Sequence, residues 1–267
     1  MRAIPLVRDL SLSERAVFLR LDLNVPVAAG QVTSDARIRA ALPTIEYVLA
    51  QGGRVALASH FGRPKGKRDA KYSLEPVGVR LSELLSRDVL LADDCVGDGV
   101  KRLMRNLRAG QLILLENLRF HAGEEKNDSQ FAKALAAPFE VYVNDAFGAS
   151  HRAHASMVGM VESFRERAAG FLLMREVEAL TRLIEAPARP FVAVVGGAKV
   201  SDKVGVLGAL LSRTDAILVG GAMAYTLLKA TGKSVGQSHI DADKVHVARE
   251  LLARADARGV RILVPED

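Results

Sequence analysis

Four short apolar runs punctuate the first half of the chain: Val17–Leu23, Arg54–Ser59, Gln111–Leu115 and Glu140–Val143. Between them the apolar positions recur at helical spacing, over Arg37–Gln51, Pro76–Ser86, Val96–Arg108 and Ser129–Ala137. Strands alternating with helices predict a parallel α/β sheet. Phe171 to Ala186 reads as an amphipathic helix with Leu172, Val177, Leu180, Leu183 and Ile184 on its apolar stripe, and Pro187 and Pro190 stop it. A second α/β unit follows. Its first strand, FVAVV at Phe191 to Val195, reads as buried and is closed by Gly196-Gly197. A helix is predicted from Ala198 to about Ser212, a strand over Ala216–Gly220, a helix after Met223, another over Asp241–Arg258, and a last strand near Val260–Val264. The pattern therefore divides the chain into a domain over residues 1–170, a connecting helix over 171–186 and a second unit over 187–267.

The ends of the first four strands are polar. Strand one runs into Asp22 and Asn24, strand two into Ser59, His60 and Arg63, strand three into Glu116, Asn117 and Arg119, and strand four into Asn144, Asp145, His151, Arg152 and His154. In a parallel sheet these ends share one edge, where open α/β sheets bind ligands. Asp22 and Asn24 are two apart in an extended segment and face one side, which leaves Leu21, Leu23 and Val25 for the core. Arg37, Arg63, Arg119 and Arg152 suit an anion held by bidentate guanidinium bonds, although each taken singly also fits a surface ion pair. In Phe191 to Lys203, FVAVVGGAKVSDK, a strand turns through glycines toward Lys199 and Lys203, which share a helix face. That suits a phosphate chain; it equally suits a plain strand–helix connection with solvated lysines.

Composition narrows the partners. The 267 residues carry 37 Lys and Arg against 31 Asp and Glu, for a net charge of +6. There is no tryptophan and no basic block, so small anions fit better than nucleic acid. Nearly half the residues are apolar, enough for a sizeable core. The one cysteine, Cys95, excludes an internal disulfide and a cysteine metal cage and reads as a buried or half-buried thiol. MRAIPLVRDL lacks the apolar segment of a signal peptide, which predicts a soluble, cytoplasmic protein without membrane partners. His151 and His154 lack a third ligand for a metal, and Glu124, Glu125 and Lys126 read as a solvated loop. Gly232-Lys233-Ser234 imitates half a P-loop, but Leu227 stands where the first glycine is required, and no G-x-G-x-x-G follows a strand.

The segments RLDLNVP, ARIRAALPTI, SHFGRP, YSLEPV, LLENLRFH, VYVNDAFG, HRAHASM, VVGGAKVSDK and GGAMAYTLL, in this order, resemble phosphoglycerate kinase from near Val17 to the end of the chain. Phe61 stands where a leucine is common in that family. The resemblance implies two Rossmann-like three-layer α/β/α domains with parallel sheets, the second incomplete, in a monomeric, hinge-bending glycolytic transferase. It implies phosphoryl transfer between 1,3-bisphosphoglycerate and ADP, giving 3-phosphoglycerate and ATP, with magnesium. It places Asp22, Asn24, Arg37, His60, Arg63, Arg119 and Arg152 on 3-phosphoglycerate, and Lys199, Lys203, Gly220 and Gly221 on the nucleotide. Arg37 and Lys199 would balance the charge of the transferring group. Family members extend past the point matched by Asp267 and carry their magnesium-binding aspartate there, so no metal ligand is assigned. The expectation for these 267 residues alone is therefore little turnover, a less stable second unit, and an alternative role as a 3-phosphoglycerate-binding module.

Overall fold

The structure is a computed structural model that describes residues 4–197 and 203–265. The chain divides into two compact units, Met1–Glu178 and Ala179–Asp267. The division falls within the helix that the sequence pattern sets between two domains.

Unit 1 contains β1 (Ala16–Arg20), β2 (Val27–Ala28), β3 (Gln31–Val32), α1 (Ala36–Ala50), β4 (Arg54–Ala58), α2 (Glu75–Leu85), β5 (Leu90–Leu91), α3 (Asp98–Asn106), β6 (Leu112–Leu114), α4 (Ala122–Glu125), α5 (Ser129–Ala136), β7 (Val141–Asn144) and β8 (Glu166–Ala169). Helix α6 (Phe171–Glu185) begins in this unit. The main sheet runs β5-β6-β4-β1-β7-β8, and every pairing in it is parallel.

Residue alternation along the strands builds the layers. Val17, Leu19, Val55, Leu57, Leu114 and Val143 face Ile38, Ile45, Val48, Val77 and Leu81 of α1 and α2. Phe18, Ala56, Ala58, Ile113 and Tyr142 turn the other way, against Val100 and Met104 of α3 and Ala132 and Leu135 of α5. Apolar side chains on both faces give a central strand no solvent side, as a fully covered parallel sheet requires. Strand β1 is accordingly buried at all five positions.

Several sequence expectations shift here. Strand β1 ends at Arg20; Leu21 N still bonds the Ala58 carbonyl and Val25 N that of Leu23, with Leu21, Leu23 and Val25 buried as the alternation predicts. Helix α3 starts at Asp98 rather than Val96, because Gly97 sits at φ +96° and breaks the helical path. The β2–β3 hairpin, β5 and β8 escape the apolar pattern altogether. Two residues cannot show a period, and Glu166 and Arg167 give β8 a polar start. Glu124 is a plain correction. It lies in α4 with no solvent exposure instead of in a solvated loop.

Unit 2 contains β9 (Val192–Gly196), α7 (Val204–Leu210), β10 (Ala216–Gly220), α8 (Ala222–Ala230), α9 (Val245–Asp256) and β11 (Arg261–Leu263). Its parallel sheet has the order β11-β10-β9. Ile217 and Val219 pack with Leu207, Met223, Leu227 and Leu251. On the opposite face Val192, Leu218 and Leu263 are exposed among the described residues, and Val194 is 80% exposed. The run FVAVV is thus an edge strand with one open face, not a buried one. The α6 stripe also stays outside a core, with Leu180, Leu183 and Ile184 exposed. No described helix is long and apolar enough to cross a membrane.

Candidate active site

Four loops leave the C-terminal edge of the first sheet, after β1, β4, β6 and β7, and Gly62 is where three of them meet. Its N–H donates to Asn24 Oδ1 at 2.9 Å, and its carbonyl accepts from Arg119 Nη1 at 2.7 Å. The φ of +57° and the Tyr72 ring, 2.4 Å from where a Cβ would stand, leave room for glycine only. The β7 loop reaches the same place, since a Cβ on Gly148 would lie 2.9 Å from Asp22 Oδ2. That oxygen also accepts from Arg37 Nη1 at 2.9 Å. Asn117 braces the β4 loop by bonding the N–H and carbonyl of Phe61 and the carbonyl of Tyr72. Glu116 accepts from Leu74 N, Ser73 Oγ and Asn117 N. These two residues build the loop rather than point into the cleft.

Positive charge is concentrated here: Arg20, Arg37, Arg119 and Arg152 stand against Asp22, Glu124 and Glu125. The Arg119 side chain is 7% exposed, and its Nε lies 3.1 Å from Glu125 Oε1 at an angle that makes no hydrogen bond. Burial, and then the repulsion of Arg152 and Arg20, lower its pKa against the pull of Glu125. A buried guanidinium with an unmatched N–H is costly unless an anion completes it. His60 is buried beside the same cations. Burial first, then Arg20, Arg119 and Arg152, drive its pKa down to about 2. Its Nδ1 lies 3.3 Å from Arg20 Nη2, a pure donor, so Nδ1 accepts and the proton of the neutral ring sits on Nε2. The structure thus brings together Asp22, Asn24, Arg37, His60, Arg119 and Arg152. Arg63 is exposed on the β4 loop.

In unit 2 the glycines stand together. Gly196 and Gly220 pair in register at the ends of β9 and β10, and Gly197 O accepts from Met223 N at 3.0 Å. Gly221 takes φ +68° at the start of α8. A side chain on Gly221 would stand 3.2 Å from Gly197 O. Lys203 is exposed just before α7. Lys199 lies outside the described residues.

A sequence model of the family described as phosphoglycerate kinase matches residues 7–267. The chain belongs to the phosphoglycerate kinase family. It is 58% identical over 268 residues to the phosphoglycerate kinase of Anaeromyxobacter dehalogenans strain 2CP-C, covering 99% of this chain and 68% of that relative. It is 52% identical to that of Acidobacterium capsulatum, covering 98% of this chain and 67% of the relative. Among solved structures, the phosphoglycerate kinase of Coxiella burnetii matches with a TM-score of 0.87 at 40% identity, over 98% of this chain and 66% of that one. The enzyme from Pyrococcus horikoshii OT3 matches with a TM-score of 0.84 at 33% identity, over 98% of this chain and 67% of that one. The chain thus spans about two-thirds of the length of the phosphoglycerate kinases it matches.

Three residues of this family member, Arg20, Ser156 and Glu124, form a buried network without having been marked by the strand-end pattern. Arg20 is fully buried, its Nε donating to Ser156 Oγ at 2.9 Å and its Nη1 to the Leu21 carbonyl. Ser156 Oγ donates in turn to Glu124 Oε1 at 2.6 Å, and Ser156 N donates to Glu124 Oε2 at 2.9 Å. His154 Nδ1 approaches the same carboxylate at 3.8 Å. One hydroxyl therefore joins a buried cation to a buried anion. The signal available in the sequence was an arginine inside an otherwise apolar strand, VFLRL.

The depressed pKa of His60 has a measurable sign. As pH falls below about 6.5, the unfolded chain binds a proton at His60 that the folded chain refuses down to about pH 2, so stability declines. The contribution is fully present above pH 6.5. Its loss approaches about 1.4 kcal/mol per pH unit for this one group. Denaturant titrations between pH 6.5 and 4.5 should show a shallower pH slope in His60→Gln than in the parent. An unchanged slope would mean that His60 charges normally.

Proposed function

We propose that the chain acts in the phosphoglycerate kinase reaction, with unit 1 binding 3-phosphoglycerate and unit 2 contributing to nucleotide binding. The observation that carries this reading is the convergence of four strand ends on one sheet edge, where the buried guanidinium of Arg119, its Nε–H without a hydrogen-bond partner, stands beside neutral His60 and Arg152. A small ligand with a phosphate and a carboxylate supplies anionic oxygens to that cluster. Arg119 and Arg152 would hold its phosphate, and His60 Nε2–H would donate to an oxygen. Asp22 and Asn24 suit its hydroxyl. Arg37, more than half exposed and tied to Asp22, keeps N–H groups free to meet charge developing on a transferring phosphoryl group. Such transfer requires in-line placement and positive charge around the equatorial oxygens more than covalent help. The acceptor carboxylate is already ionised, so no general base is required.

Gly196, Gly197, Gly220 and Gly221 leave a side-chain-free edge on which a nucleotide could approach backbone, and Lys199 and Lys203 would add charge for its phosphates. Magnesium would enter with the nucleotide. The described trio of metal-capable groups, Asp94, Cys95 and His121, includes a thiol and an imidazole and does not suit that ion.

Calorimetry separates the two halves of the proposal. 3-Phosphoglycerate should give saturable binding heat with one site per chain. ADP should bind at least about tenfold more weakly, because unit 2 offers exposed lysine where unit 1 offers preorganised, desolvated arginine. Absence of 3-phosphoglycerate binding by folded protein would sink the assignment of the cleft.

A further inference from the structure

Outside the phosphoglycerate cleft, Asp94, Cys95 and His121 form a second chemical cluster. Asp94 and Cys95 follow β5, and His121 follows the turn Leu118–Phe120 beyond β6. Strands β5 and β6 pair in parallel, so the loops at their C-terminal ends lie side by side. One carboxylate oxygen, the thiol sulfur and one imidazole nitrogen all lie within 4.8 Å of one another. His121 Nε2 is 2.6 Å from Asp94 Oδ1, and the His121 ring stacks on Phe131 with centroids 5.0 Å apart. The Cys95 thiol is 1% exposed, while Asp94 and His121 expose 45% and 32% of their side chains. A sulfur donor thus floors a site whose other two donors are open to solvent.

We propose that Asp94, Cys95 and His121 bind a borderline-soft divalent cation of the zinc class, with a fourth position left to water. Mixed S, N and O donors select such ions, whereas magnesium prefers oxygen alone. Metal–ligand distances of about 2.0–2.3 Å in a tetrahedron put donor atoms roughly 3.3–3.7 Å apart. The contact between His121 and Asp94 opens by roughly 1 Å to admit the ion, and the wider spacings close by a similar amount. Both adjustments are within reach of side-chain rotation on two surface donors. On binding, the Cys95 S–H bond breaks and its proton leaves to solvent. The metal takes the Nε2 lone pair of His121, whose ring proton then sits on Nδ1. No electron changes hands. In the metal-free protein the Cys95 thiol also hydrogen-bonds the Asp94 side chain, as His121 and the Cys95 N–H do, so all three donors already converge on one carboxylate.

Cobalt(II) is the probe, because the 267 residues contain one cysteine. Any thiolate-to-cobalt charge-transfer absorption must come from Cys95. Titration of the folded full chain should develop that band to one equivalent. Zinc should erase it, and a tenfold excess of magnesium should leave it unchanged. Cys95→Ser should abolish the band. His121→Ala and Asp94→Asn, at partly exposed positions, should each weaken cobalt binding by roughly tenfold or more while circular dichroism stays native. Tetrahedral cobalt absorption without a charge-transfer component would overturn the proposal. So would a band of undiminished affinity in both His121→Ala and Asp94→Asn.

Discussion

Arg20→Met is expected to lower the melting temperature of unit 1 by roughly 6–20 °C. The substitution removes a guanidinium that is wholly buried and leaves the Glu124 carboxylate, also wholly buried, without the cation it shares through Ser156. Breaking one side of a buried ion pair costs about 3–5 kcal/mol, because the remaining charge has no water to return to. In a unit of this size each kcal/mol moves the midpoint by about 2–4 °C. The double variant Arg20→Met, Glu124→Leu should recover much of the loss, since it removes both desolvated charges together. A double variant no more stable than Arg20→Met would show that packing, not the charge pair, holds this place. Differential scanning calorimetry of the parent, both single variants and the double variant closes the cycle.

The second large effect concerns ligand binding. Arg119→Ala should weaken 3-phosphoglycerate binding by roughly 10–100-fold, the equivalent of about 1.5–3 kcal/mol for a charge-assisted bond made in a partly desolvated place. Arg119 also donates to Gly62 O, so its removal loosens the junction of the β1, β4 and β6 loops. Arg119→Lys distinguishes the two contributions. A lysine keeps the charge but cannot hold a phosphate and Gly62 O at once in the planar guanidinium geometry, and it should recover only part of the affinity. Arg102→Ala, an exposed position on α3, controls for loss of overall positive charge. Equal weakening in Arg102→Ala and Arg119→Ala would argue for diffuse attraction and against the cleft.

The central strands of unit 1 are legible as short apolar runs set between helical patterns. Leu21, Leu23 and Val25 are buried beyond the end of β1, while Asp22 and Asn24 are half-buried and bond Arg37 and Gly62. The strand ends carried the rest of that reading, since a parallel sheet delivers them to one edge whatever its strand order. Glu124 was not legible. Its neighbours Gly123, Glu125 and Lys126 look like surface, and its burial comes from Ser156, whose approach no local pattern encodes. The Asp94–Cys95–His121 cluster was hidden for the same reason, because β5 is two residues long and gave no sign that it pairs with β6. In unit 2 the apolar run of β9 was read correctly as a strand and incorrectly as buried. Local hydrophobicity reports what a strand can bury, not whether a partner layer is present to cover it.

Arg20 has one more consequence, for folding fidelity. A strand that is apolar on both faces, as β1 is between β4 and β7, can slide along its neighbours and still bury oil against oil. The guanidinium at its last position cannot slide with it. Displaced by a residue or two, it loses Ser156 and His60 at once and strands a full charge in the interior. One cation at the end of a featureless strand therefore makes mispaired sheets costly, and the same cation sets the proton on the histidine that faces the cleft.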